Sequence, residues 1–200
     1  MAELTLIVGH PGAGKTTRAK ALAAATGAVR LTPDDWLVPL FAHPAPDGKR
    51  DVVEGRLIWT ATAILRAGGS AILDFGFWGR DERAALAWLA ASVGATAHTL
   101  HLPVDRATQA ERVARRQRET PELTWQLTQA ELDEWRPLLQ EPDADELDGR
   151  YTLPPPAEGW PAWIARRWPT ALDGAEPDVT RRTRDRHGSR TPAGPPDHQP

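Results

Sequence analysis

The chain has 200 residues, 40% hydrophobic and 26% charged, which suits one globular domain with a sizeable core. It has no Cys, which excludes a disulfide scaffold, a thiolate zinc site and a cysteine nucleophile. Its 24 basic and 27 acidic residues leave a net charge of −3, without the basic excess of a strong polyanion binder. No stretch reaches the ~18 to 20 apolar residues of a membrane helix, and the N-terminus MAELTLIVGH has neither the basic start nor the long apolar run of a signal peptide. A cytoplasmic location without membrane contact is expected.

Strand-like and helix-like segments alternate over the first 150 or so residues. Leu4–Val8 is a short apolar run ending in glycine, and Thr16–Ala25 is an Ala-rich helix stopped by Gly27. Ala28–Leu31 reads as a second strand, followed by a short helix near Trp36. Asp51–Ala67 carries Val52, Leu57, Ile58, Ile64 and Leu65 at helical spacing and ends at Gly68-Gly69. Ser70–Leu73 is a third strand, Asp81–Val93 a helix, Thr96–Leu102 a fourth strand and Val104–Arg118 a polar, Arg-rich helix. Thr128 to Leu139 is a helix opened by a Thr128/Glu131 capping box, and Arg150–Leu153 is expected as a last edge strand. This alternation predicts an α/β fold: a mostly parallel sheet with helices on both faces. Ten of the 19 prolines lie in the last 47 residues. Pro161–Trp168 reads as a short helix docked by Trp160, Trp163 and Trp168, and the chain from Ala171 on as a disordered tail. The expected organisation is a domain over 1–153, a docked Trp/Pro-rich segment over 154–170 and a tail over 171–200.

Residues 9 to 16, Gly-His-Pro-Gly-Ala-Gly-Lys-Thr, fit G-x-x-x-x-G-K-[ST], the phosphate-binding loop. With this composition a chance match has odds of only ~2 in 1,000, and the context of strand before and helix after also fits. Backbone N–H groups of Gly9, His10, Pro11, Gly12, Ala13, Gly14, Lys15, Thr16 and Thr17, Pro11 excepted for want of a hydrogen, form the expected nucleotide cradle at a helix N-terminus. Lys15 is expected to reach the β- and γ-phosphates and Thr16 to hold Mg²⁺. Asn is absent from the chain, so the Asn-Lys-x-Asp motif that reads guanine is impossible. A small domain of this kind with an Arg-rich helix reads as a kinase.

Three further segments carry candidate chemistry. Asp34 and Asp35 follow the second strand, at the sheet edge where open α/β sheets bind ligands. One of them is expected to accept the proton of an attacking hydroxyl, while a cap on the next helix is the alternative role. Asp74 ends the apolar run Ala71-Ile72-Leu73, as an acid beside Mg²⁺ or the acceptor. After it, Phe77, Trp78, Arg80 and Arg83 read as an acceptor-pocket wall with two arginines for an anionic partner, and Trp36 joins that surface. Arg112 and Arg116, four apart on one helix face, are expected to clamp the transferring phosphoryl group.

The segments GHPGAGKTT, LTPDDW, LDFGFWGRDER, the Arg-rich helix and LTQAELDEW together resemble a bacterial family of small P-loop kinases described as AAA-family ATP-binding proteins, over roughly residues 3 to 148. That family is similar to the kinase domain of polynucleotide 5′-kinase and, more distantly, to chloramphenicol phosphotransferase and zeta toxins. The resemblance implies a three-layer P-loop NTPase fold with an Arg-rich lid, ATP and Mg²⁺ as donor and cofactor, and a hydroxyl as acceptor. It places the catalytic base on Asp34, a helix-start arginine on Arg83, and the lid arginines near Arg112 and Arg116. The chain departs from the polynucleotide kinase pattern at Leu37, where that pattern has an acceptor-binding Arg. A small-molecule acceptor is therefore expected ahead of a 5′-hydroxyl nucleic acid or nucleotide, with a nucleotide-gated interaction module as the non-enzymatic alternative. The chain is expected to act as a monomer or homodimer.

Overall fold

The N-terminal apolar run forms strand β1, Glu3–Val8, and its alternation sets the layering. Leu4, Leu6 and Val8 pack into the larger core cluster and Ile7 into the smaller one, as the two-residue period of a strand requires. In the computed structural model, which describes residues 1–43, 46–120 and 126–173, β1 is joined by β2 (Val29–Leu31), β3 (Ala71–Leu73) and β4 (Thr96–His101). The sheet order is β2-β3-β1-β4 and every pairing is parallel. Leu4 stands opposite Ala71 on one side and Ala97 on the other, while Val29 stands opposite Ala71.

Parallel neighbours need long crossovers, and helices supply them. These are α1 (Lys15–Thr26), α2 (Asp34–Phe41) with α3 (Arg50–Arg66), and α4 (Arg80–Ser92). Ala19 of α1 packs on Ile7 and Ile72 on one side of the sheet. On the other, Leu57, Ile58, Ala61 and Leu65 of α3 and Leu86 and Leu89 of α4 cover Leu4, Leu6 and Leu73. After β4 come α5 (Arg106–Glu119), α6 (Gln129–Trp135) with a 3-10 turn at Arg136–Leu138, α7 (Ala144–Leu147) and α8 (Gly159–Arg167). Thr128 and Glu131 form the expected capping box: the Thr128 hydroxyl accepts from Glu131 N–H, and the Glu131 carboxylate accepts from Thr128 N–H at 2.7 Å. No helix among the described residues is long and apolar enough to cross a membrane.

Two expectations change here. Arg150–Leu153 forms no strand. Leu153 runs into Pro154-Pro155-Pro156, which have no N–H to give a ladder, and the segment is held by side chains, with Tyr151 Oη 2.9 Å from Thr99 Oγ1. The chain also stays packed beyond Ala171. Ala171 is buried in the main core, Asp173 accepts from the Trp59 indole N–H, and the Thr170 hydroxyl donates to the Val52 carbonyl. Gly55 of α3 permits this contact, since a Cβ there would stand 2.5 Å from Thr170 Oγ1. Residues 174–200, the rest of the expected tail, lie outside the described residues.

Candidate active site

Because all four strands run the same way, the segments after β1, β2, β3 and β4 emerge at one edge of the sheet. The loop after β1 curls around Lys15. Its Nζ donates to the carbonyls of Gly9 at 2.8 Å and His10 at 2.9 Å. Burial lowers the Lys15 ammonium to about 8; Asp74 and Asp34 oppose that shift, and Arg116 and Arg50 add to it. All four charged side chains, from β3's end, α2, α5 and α3, therefore sit within electrostatic reach of the lysine.

Asp34 and Asp35 form the first turn of α2, and neither carboxylate caps the helix through a side-chain hydrogen bond. Asp34 stays half exposed, with Oδ1 3.5 Å from Arg50 Nη1. Asp35 is turned to Arg30, whose Nη1 lies 2.8 Å from its Oδ2. Asp74 is buried, and its Oδ2 accepts from Arg30 Nε at 3.1 Å and Nη2 at 2.9 Å. Arg30 thus ties the acids of two strands together, and Arg50 stands beside the third. Neither arginine was among the sequence candidates. A charge in the middle of the β2 run Val29-Arg30-Leu31 and the four-residue spacing of Arg50 and Glu54 are the signals that could have marked them.

α5 lies directly on the phosphate loop. A Cβ on Gly12, whose φ is +78°, would stand 3.1 Å from the Gln109 carbonyl and 3.2 Å from Val113 Cγ2. Only glycine both takes that conformation cheaply and leaves room for the helix. Arg112 Nη1 donates to the Gly12 carbonyl at 3.3 Å. His10 is buried with its ring edge-on to Trp78, 5.6 Å between centroids, and Trp78 meets Trp135 in the same way. Burial, with the Arg136 and Lys15 cations, lowers the His10 imidazole to about 4. A cleft of about 460 Å³ opens beside this histidine, lined by Val104, Thr108, Arg112, Arg136 and Glu141 among others.

Three of the expected acceptor-wall residues are placed elsewhere. Phe77 is core: it is 3% exposed and packs edge-on against Trp168. Arg83 is fully buried, in an ion pair with Glu146 of α7, and also donates to the Gln140 carbonyl at 2.8 Å. The first turn of α4 points that side chain at α7, so a buried guanidinium must be spent on a protein carboxylate and cannot serve a substrate. Arg80 is held by Asp143 at 2.7 Å and Thr152 at 3.2 Å, on the α7 side. Trp78 borders His10, and Trp36 stays half exposed on α2.

For Mg²⁺, the exposed Thr16 hydroxyl lies in the first turn of α1, and Asp74 has one oxygen, Oδ1, that Arg30 leaves open. A hydroxyl and a carboxylate oxygen are the hard donors this ion takes, so the residues fit it. Among the described residues there is no cluster of three or more His, Asp or Glu that would hold a metal without further ligands.

Comparison with known proteins bears on the family and the fold. The sequence profile of the AAA domain matches residues 4–142. No curated protein gives a significant sequence match. Similar solved structures include a candidate kinase of Chloroflexus aurantiacus, with a TM-score of 0.56 and 21% identity over 70% of this chain and 78% of that one. Kti12 of Chaetomium thermophilum, solved with ADP-AlF3, has a TM-score of 0.55 and 16% identity over 84% of this chain and 99% of that one. A chain of the Pnkp1/Rnl/Hen1 RNA repair complex has a TM-score of 0.56 and 16% identity, over 70% of this chain and 44% of that one.

Proposed function

The chain belongs to the AAA domain family, with a P-loop kinase-like fold, and from that premise we propose that it is an ATP-dependent phosphotransferase acting on a hydroxyl of a small molecule. The observation that carries the reading is that two carboxylates, Asp34 and Asp74, and two guanidinium groups, Arg50 and Arg116, lie within electrostatic reach of Lys15, with Asp34 3.5 Å from Arg50. A site that only bound nucleotide would need the cations. A carboxylate beyond the one assigned to Mg²⁺, here Asp34, is what a hydroxyl acceptor adds.

In this reading the two substrates lie on separate sides of the phosphate loop, and the strand order supports that division. β1 and its loop lie between β3 and β4. The cleft beside Val104 and Thr108 is on the β4 side and suits the donor nucleoside, while Asp34 and Trp36 are on the β2 side and suit the acceptor. Asp34 takes the proton of the acceptor hydroxyl as its oxygen bonds to the γ-phosphorus, and ADP leaves with the electron pair of the broken P–O bond. Lys15, Arg112 and Arg116 offset charge on the transferring group. Thr16 and Asp74 would hold Mg²⁺, which supplies neutralisation of the phosphates.

The test is incubation of the protein with labelled ATP and Mg²⁺ against a panel of nucleosides, 5′-hydroxyl oligonucleotides, aminoglycosides and phenolic or diol compounds. Label is expected on a small alcohol and lost in a folded Lys15→Ala protein. Transfer to oligonucleotides alone replaces the acceptor class with nucleic acid. Unchanged nucleotide binding and turnover in folded Lys15→Ala overturns the whole reading.

A further inference from the structure

The residue beside Asp34 is anchored from the far end of the chain. Arg50 Nε donates to Glu54 Oε1 at 2.9 Å, one turn along α3. The other oxygen of Glu54 accepts from the Trp168 indole N–H at 3.0 Å and lies 3.7 Å from Arg167 Nη2. Arg167, in the last turn of α8, is only 16% exposed. Its Nη2 is 2.8 Å from Glu82 Oε1, its Nε donates to the same oxygen at 3.0 Å, and its Nη1 is 2.8 Å from Asp51. The remaining oxygen of Glu82 accepts from the backbone N–H groups of Trp78 and Gly79 at 3.1 Å each. One guanidinium therefore lies between two buried carboxylates. The first leads through Arg50 to Asp34, and the second fixes the loop that follows Asp74.

We propose that Arg167 is a positioning residue of the active site: through Glu54 it holds Arg50 against Asp34, and through Glu82 it holds the Trp78–Gly79 loop. This rests on the reading of Asp34 as the base. Two buried carboxylates side by side repel, and a cation between them offsets that repulsion. Without Arg167, Glu54 and Glu82 repel, Glu54 turns toward Arg50, and the guanidinium is drawn away from a carboxylate it already meets at 3.5 Å. The ion pairs also hold α8 in place, so the contribution to the site must be separated from the contribution to stability.

The experiment measures Mg·ATP turnover, with water or the acceptor found above, for Arg167→Gln, Arg167→Lys, Arg50→Gln and the double variant Arg50→Gln/Arg167→Gln. The surface variant Arg166→Gln is the control, since Arg166 pairs with Glu158 at the surface. Outer partners of metal-binding side chains are worth about 10- to 100-fold, and an effect of the same order is expected here. Arg167→Gln is expected to lower kcat by about 10-fold or more with KM for ATP within about twofold, Arg167→Lys to recover part of the loss, and the double variant to be no slower than Arg50→Gln, because both act through one chain. An unchanged kcat in Arg167→Gln, or losses that multiply in the double variant, overturns the proposal. If Arg167→Gln gives no melting transition, Arg167→Lys, which keeps the charge and loses the fork, decides by the same comparison. A second readout needs no turnover: the Nε–Hε NMR signal of Arg50 is expected to shift in Arg167→Gln or Arg167→Lys. If the wild type does not turn over ATP, the kinase reading fails, and this signal alone decides whether Arg167 positions Arg50. An unshifted signal overturns the coupling.

Discussion

Asp34 and Asp35 are adjacent in sequence and differ in what they touch. Asp35 is spent on Arg30, and Asp34 makes a longer contact, 3.5 Å, to Arg50. Asp34→Asn keeps the shape and removes the proton acceptor, so kcat should fall by roughly 10² to 10⁴-fold while ATP still binds. Asp35→Asn loses one exposed ion pair, and a urea melt should show a cost of about 1 kcal/mol or less. The reverse pattern of activity would move the base to Asp35. Lys15 supplies a pH test. Its buried ammonium titrates near 8 in the free protein, so the cation is present below that pH and lost above it. ATP affinity measured by calorimetry should weaken as pH rises from 8 toward 10. The same titration on Lys15→Arg, whose guanidinium stays charged, should lack that slope.

At the scale of one element, α5 is the part that meets the nucleotide loop most closely. It carries few large apolar residues, and its buried side chains are the polar Gln109 and the apolar Val113. Its N-terminus is fixed by Asp105, which accepts from Thr108 N–H at 2.9 Å. Its seat is the bare Cα of Gly12. Replacing Arg112 or Arg116 by Ala should cut kcat by about 10²-fold with a smaller effect on ATP affinity. Gly12→Ala should act differently: the methyl group pushes α5 off the loop, and ATP affinity falls along with kcat. Full kcat in both arginine variants would make α5 a solvated helix with no part in transfer.

Across the whole molecule, the C-terminal segment is part of the core. Trp160, Trp163, Ile164, Trp168 and Ala171 share one buried cluster with the sheet, α3 and α4. The three tryptophan rings meet edge-to-face, with Trp163 5.8 Å from Trp160 and 5.7 Å from Trp168. Trp168→Ala should cost about 3 to 5 kcal/mol in a urea melt, and a chain ended at residue 158 should show no cooperative transition. Gly55→Ala is the finer probe, because its methyl group would stand 2.5 Å from Thr170 Oγ1 and 3.0 Å from the Thr170 and Ala171 nitrogens. It should lower the melting temperature, and an unchanged melt would mean that segment contributes nothing to stability.

The phosphate loop, the α/β alternation and the acids at the ends of β2 and β3 were legible in the sequence, because each is a local matter. A glycine spacing, a two-residue or helical period and a strand-terminal charge need no knowledge of distant neighbours. Helices α3, α4 and α6 lie within a few residues of where their periodicity and caps put them. What tertiary structure decided was the fate of the charged and aromatic side chains. Phe77 and Trp78 are neighbours, yet one enters the core against Trp168 and the other borders His10. Arg80 and Arg83 share a helix start, but Arg83 is consumed by Glu146, a carboxylate 63 residues away. Arg30 and Arg50 attracted no notice, and they became the partners of the three acids. A guanidinium looks the same in sequence whether it meets solvent, phosphate or a buried carboxylate. The packing of the elements against one another, α2 and α3 around Arg30 and Arg50 and α7 against Arg83, determines which carboxylates are in reach, and desolvation then obliges each buried charge to take one.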